Sequence, residues 1–137
     1  MIPPQIIYPD RNGPNAPHWR GAADGQLLIQ QCGHCEHLRF PASEICPHCQ
    51  SDKADWIEVR PTGRIVSWCR FHRAYFPDIA EQLPYTVLLV ELDDGLRMYA
   101  NPAIDDRHTP PEIGARVRAA FVRLEDDLGI VHFEPAT

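Results

Sequence analysis

Apolar and polar positions change their period along this chain, and the changes mark its elements. From Gly63 to Phe71 they alternate, with Ile65, Ser67, Cys69 and Phe71 on one face and Val66, Trp68 and Arg70 on the other. A period of two predicts a half-covered strand. Tyr85 to Leu92 (YTVLLVEL) is β-branched and apolar, which predicts a buried central strand. Asp93-Asp94-Gly95 reads as a hairpin turn, with Leu96 to Asn101 pairing back. Pro110-Pro111 and Gly114 bound a loop before Ala115 to Leu124, where Val117, Ala119 and Phe121 alternate toward a core. Asp126-Asp127 and Gly129 then turn the chain into Ile130 to Phe133. Five short strands divided by turn signals, with no long amphipathic helix, predict a small closed or nearly closed barrel over residues 57–137. An OB-fold is the most economical choice.

The N-terminal half is patterned less by hydropathy than by breakers. Pro3-Pro4, Pro9, Gly13-Pro14 and Pro17 predict an extended arm. Its apolar Ile2, Ile6, Ile7 and Tyr8 suit either a partner surface or the chain's own domain. Asn15 to Asp24 predicts a short helix, capped by Asn15, with Trp19 and Ala22-Ala23 on one face and Gly25 as its stop. The arm and helix form a first segment, 1–25. Gln26 to Gln31 (QLLIQQ) and Leu38 to Pro41 read as strands, with Phe40 over the site they flank, and Ser51 to Trp56 as a polar link. These make a second segment, 26–56.

Chemistry enters with the cysteines. Cys32-Gly-His-Cys35 and Cys46-Pro-His-Cys49 are two Cys-x-x-Cys knuckles separated by ten residues, Glu36 to Ile45. Each knuckle aims two thiolates at one point, and four soft sulfur ligands are what tetrahedral zinc takes in a closed structural site. The pattern predicts a rubredoxin-like zinc ribbon. Iron also fits four thiolates, and two disulfides are the remaining alternative. His34, His37 and His48 read as exposed residues or as groups behind the ligands. The fifth cysteine, Cys69, reads as a small buried hydrophobe rather than a nucleophile.

With 137 residues, 44% of them hydrophobic, the chain is long enough for a real core. No apolar run is long enough to cross a membrane, and the N-terminus lacks a signal-peptide pattern. The cytosol is therefore expected, where clustered thiols favour metal over disulfide. The net charge of −6 argues against a life on phosphate backbones. Phe71 to Pro84 (FHRAYFPDIAEQLP) is far longer than a hairpin needs, and long loops in compact domains tend to be functional. Its His72, Arg73, Tyr75 and Phe76 suit an anionic, partly planar ligand or a protein surface. Alternatively, Phe76 and Ile79 plug the barrel mouth.

Several motifs in this order resemble a known family. Trp19 and Gly25-x-Leu27 lead to the four-cysteine ribbon, with Phe40-Pro41 between the knuckles, then Cys46-Pro47-x-Cys49 and Trp56. Gly63-x-Ile65-x-Ser67, His72-Arg73, Pro84-Tyr85 and Glu91-Leu92-Asp93-Asp94-Gly95 follow. The chain is similar over nearly its whole length to the bacterial and archaeal domain-of-unknown-function-35 proteins, a zinc ribbon fused to an OB-fold. The resemblance implies a small subunit of a thiolase-superfamily complex acting on acyl-CoA thioesters, of the thiolase, acyltransferase or lipid-transfer-protein-like steroid side-chain aldolase type. It implies structural Zn2+ on Cys32, Cys35, Cys46 and Cys49. It also implies a partner-docking role, with acyl-CoA at or near the interface and His72, Arg73, Tyr75, Phe76 and Tyr85 as candidates for the ligand- or partner-facing surface.

An active site of the chain's own is not expected. Ser43, Ser51 and Ser67 lack a base and an orienting acid, and four thiolates leave zinc no open position. His72 is the best candidate for a general base lent to a shared site, since imidazole titrates near neutrality. The rival class is a single-stranded nucleic-acid binder. It has only Tyr85, Tyr99, Arg97 and Arg118 to offer, with Glu91, Asp93 and Asp94 close by.

Overall fold

A computed structural model of the chain describes residues 9–73, 83–103 and 109–136. The arm residues Ile2, Ile6, Ile7 and Tyr8 lie outside them. The elements are α1 (Ala16–Ala23), β1 (Leu28–Cys32), β2 (Leu38–Arg39), β3 (Ala54–Glu58), β4 (Thr62–Phe71), β5 (Tyr85–Leu92), β6 (Arg97–Ala100), β7 (Arg116–Glu125) and β8 (Leu128–Pro135). The fold is mainly β, with one short helix. By internal contacts the described chain forms two compact units, one of residues 9–61 with 121–130 and one of 62–120 with 131–136.

In the first unit, β1 is the centre of an antiparallel sheet ordered β2-β1-β3. Strand β3 corrects the expectation of a plain polar link, because Ala54–Glu58 pairs residue for residue with Leu28–Cys32. Its Ala-Asp start carries no apolar alternation, so only pairing reveals it. Helix α1 begins at Asn15 as expected, but the Asn15 side chain does not cap it. Its Oδ1 instead accepts the Ala42 amide at 2.6 Å, tying the helix start to the loop between the knuckles. The helix ends as Gly25 allows: at φ +75, Gly25 donates to Ala22 and Gln26 donates to Gly21. This is a Schellman stop. The helix meets the start of β8 closely, since a Cβ on Gly129 would lie 2.5 Å from the Ala23 nitrogen. Arg11 pairs with Glu125 and Asp127 at the β7–β8 turn.

The five-stranded sheet runs β6-β5-β4-β7-β8, and the second unit holds β4, β5, β6 and the 116–120 and 131–135 parts of β7 and β8. A parallel bridge from Pro102 to Phe133 brings β8 back beside the end of β6. Ala103 donates to Phe133, and Phe133 donates to Asn101. That order and closure are those of an OB-fold. Ile65, Leu88, Val90, Leu92, Met98, Val117 and Phe133 fill its core.

Two expectations about faces are corrected here. Strand β4 carries a bulge: Ile65 stands opposite Val90 and Ser67 opposite Leu89, leaving Val66 as an extra residue. One extra residue swaps the faces beyond it. Ser67 and Cys69 are therefore exposed, while Trp68 and Arg70 are half-buried. Cys69 is not the small buried hydrophobe that a lone cysteine was expected to be. Strand β5 is central but buried on one face only, through Thr86, Leu88, Val90 and Leu92, with Tyr85, Val87, Leu89 and Glu91 on the other.

Candidate metal centre

The two knuckles are built alike. In the first, the amides of His34 and Cys35 donate to the Cys32 sulfur, each at 3.4 Å. In the second, the His48 amide donates to the Cys46 sulfur at 3.4 Å. The residue after each closing cysteine takes the left-handed conformation, Glu36 at φ 65 and Gln50 at φ 67. Each donates its amide back to the first cysteine of its knuckle. The amides of Cys32 and Cys46 then donate to His37 and Ser51, so both knuckles close as matched loops. Strand β1 delivers Cys32 into this arrangement.

The four sulfurs lie within 4.8 Å of one another. Cys32 and Cys49 are 3.5 Å apart, Cys35 and Cys46 3.7 Å. Sulfurs bound tetrahedrally at about 2.3 Å from zinc would be roughly 3.8 Å apart. The donor set fits the ion in number, softness and spacing, and the chain holds a structural-zinc type of centre. Its electrostatics are consistent with a cation. Amides from Cys35 and His34, with the Cys49 and Cys35 thiols, bring the Cys32 thiol to about 6 against its burial. At Cys35 the His37 amide pulls the other way, but burial and the thiols of Cys49, Cys46 and Cys32 push it up to about 12. Four thiolates cannot coexist here without a positive charge among them.

His34, His37 and His48 are exposed, as expected. The rings of His37 and His48 stack at 5.4 Å. Phe40 lies against the helix, 4.3 Å from the His18 ring and 6.2 Å from Trp19.

Sequence did not single out the buried side chains of His18, Arg39 and His132. His18 is 1% exposed, and its Nδ1–H donates to the Leu28 carbonyl at 2.9 Å. Arg39 is buried, with Nε donating to Gln30 at 2.6 Å and Nη2 to the Ser43 carbonyl at 3.0 Å. Gln30 also accepts the Ser43 amide, so Gln30, Arg39 and Asn15 together hold the loop that leads to the second knuckle. His132 is buried with Nδ1 unpartnered among the described residues. A sequence signal existed only for Gln30 and Arg39, which stand opposite one another in the β1–β2 ladder.

The other predicted site residues belong to the second unit. His72 and Arg73 are exposed, directly after β4. Tyr85 opens β5 and stacks on Phe71, with ring centroids 4.9 Å apart. Inside the same strands, Arg70 lies over the Trp68 ring and donates to Thr86 and to the Thr109 carbonyl. Tyr75 and Phe76 lie outside the described residues.

Comparison with known proteins gives two family profiles in sequence. Residues 19–54 match the ChsH2 rubredoxin-like zinc ribbon domain and residues 56–122 the ChsH2 C-terminal OB-fold domain. The chain is 34% identical over 128 residues, 93% of its length, to a probable enoyl-CoA hydratase alpha subunit of Thermomonospora curvata, and it spans 39% of that protein. It is 30% identical over 112 residues to a DUF35 domain-containing scaffold protein of Methanocaldococcus jannaschii, covering 80% of this chain and 77% of that one. A solved structure, the Ltp2-ChsH2(DUF35) aldolase, superposes with a TM-score of 0.77 and 34% identity over 94% of this chain and 99% of that one.

Proposed function

The chain belongs to the ChsH2 (DUF35) family of zinc-ribbon and OB-fold proteins, and from that membership we propose that it is the small, non-catalytic subunit of a complex acting on acyl-CoA thioesters. Its partner is a thiolase-superfamily subunit, of the lipid-transfer-protein-like or thiolase type. The reaction is the making or breaking of a carbon–carbon bond, with steroid side-chain aldol cleavage as the leading form. The observation that carries the reading is the end-to-end likeness to one chain of an aldolase whose name joins two components. The metal centre supports it from the chemical side. Four sulfurs saturate a tetrahedral ion, so the ion stiffens the ribbon and leaves no position for substrate. We assign the surface facing ligand or partner to His72, Arg73 and Tyr85, with Tyr75 and Phe76 in the same loop.

The test is co-expression with a thiolase-like protein from the same genome. The expected result is a stable hetero-complex that turns over an acyl-CoA substrate, while the isolated chain does not. Turnover by the chain alone, or failure of the two proteins to assemble, would overturn the reading.

A further inference from the structure

Arg39 brings a charge into the ribbon that no carboxylate answers. It is 5% exposed, the only buried arginine or lysine among the described residues. Its Nε donates to the Gln30 side chain and its Nη2 to the Ser43 carbonyl, both neutral acceptors. Nη1 is buried without a hydrogen-bond partner, and the guanidinium makes no ion pair among the described residues. A buried cation left unpaired is strongly destabilising, so its burial calls for a source of negative charge nearby.

The strand register shows where that source lies. Gln30 stands opposite Arg39 in the β1–β2 ladder, and Cys32 lies two residues further along β1, on the same side of the strand. The bond to Gln30 holds the guanidinium on that side as well. The Cys32 amide donates to the His37 carbonyl, so the pairing runs on to Cys32. Cys32 is therefore the diagonal neighbour of Arg39, about 7–8 Å away along the sheet. From the second knuckle, Ser43 receives Nη2 and stands three residues before Cys46. Zn2+ on the four thiolates leaves two negative charges over. Amides on the Cys32 and Cys46 sulfurs spread that charge but do not cancel it.

We propose that Arg39 is the counter-charge of the zinc–thiolate centre, held between the two knuckles by Gln30 and Ser43. The buried cation and the buried dianion each lower the cost of the other. Arg39 is not a ligand; it acts on the ligands through its charge, and its forked hydrogen bonds serve to place that charge.

The test measures the zinc affinity of the full-length chain by competition with EDTA, under reducing conditions at one neutral pH. Arg39→Met removes charge and fork together and should weaken zinc binding about tenfold or more, as expected for one charge at this range. Arg39→Lys keeps the charge, loses the fork, and should stay within about threefold of wild type. Gln30→Glu does the reverse. It keeps an oxygen acceptor for Arg39 Nε and the Ser43 amide but pairs the cation with a carboxylate. It should weaken zinc binding as Arg39→Met does, whereas a role in hydrogen bonding alone predicts no loss. Should Arg39→Met fail to fold, Arg39→Lys and Gln30→Glu decide between charge and fork. Arg39→Lys binding zinc as poorly as Arg39→Met, or Gln30→Glu binding it as well as wild type, would overturn the counter-charge. A wild-type chain that takes up no zinc would overturn it together with the metal centre.

Discussion

His18 and His132 are polar residues spent inside the molecule, and both carry a pH dependence. Burial lowers the pKa of each; at His18 the bond to the Leu28 carbonyl opposes this without cancelling it. Unfolded histidine titrates near about 6.5. A folded pKa below that value means the unfolded chain binds the extra proton first. The stability these residues contribute is therefore complete above about pH 6.5 and is lost as pH falls below it. Melting temperature, measured with zinc in excess so that ligand protonation is not limiting, should fall from neutrality into mild acid. His18→Gln and His132→Leu should each flatten that slope, and an unchanged slope in both would refute the account. His72 makes the opposite prediction, because it is exposed. His72→Ala should leave the melting temperature within the small range of surface changes, about 0.5 kcal/mol. It should nevertheless lower turnover of the complex at saturating partner. Full turnover would remove His72 from the site.

At the scale of elements, one sharp constraint is the approach of α1 to the start of β8. A methyl on Gly129 would meet the backbone of Ala22 and Ala23 at 2.7 and 2.5 Å, and backbone cannot rotate away. Gly129→Ala should cost about 1–3 kcal/mol as overpacking, read from urea midpoints. Gly25→Ala is the comparison, with open space around its Cβ and only its positive φ to strain. The same elements explain what was legible in sequence. The knuckles were, because thiolate chemistry fixes both residue type and spacing. The hairpin at Asp93-Asp94-Gly95 was, since Gly95 sits at φ 97 where a side chain is disfavoured. The bulge at Val66 was not: Ile65, Val66 and Trp68 suit either face, so alternation alone mis-set Ser67 and Cys69. Strand β3 was hidden because its pattern is set by pairing to β1 rather than by its own hydropathy. His18 was hidden because its partner, the Leu28 carbonyl, is ten residues away and carries no side-chain signature.

For the whole molecule, the contact pattern says which residues share a fate when the metal is lost. The knuckles belong to the unit of residues 9–61 and 121–130, whereas β4, β5 and β6 belong to the other. Structural zinc is worth about 10–16 kcal/mol of apparent folding free energy in small zinc peptides, far more than one modest ribbon sheet recovers by burial. The OB-fold core has its own independent source of stability, with Leu88, Val90, Leu92, Met98, Val117 and Phe133 all buried. Chelation should therefore remove protection unevenly. In hydrogen exchange, amides of β1 and β3 should open on adding a strong chelator, with 121–130 following because those residues share their unit. Amides of β4 and β5 should stay protected. Cys46→Ser should reproduce this pattern without chelator and bind less than one zinc per chain. Uniform loss of protection along the chain would mean that the ribbon and the barrel fold as one cooperative block. Full protection in the stripped protein would mean that the ion is not what holds the ribbon. Only the uneven outcome lets the metal act as a local stiffener while the barrel strands remain intact. In that case zinc loss and a substitution confined to the barrel core, such as Val90→Ala, should destabilise separate units, and their effects in the double variant should add within about 0.5 kcal/mol.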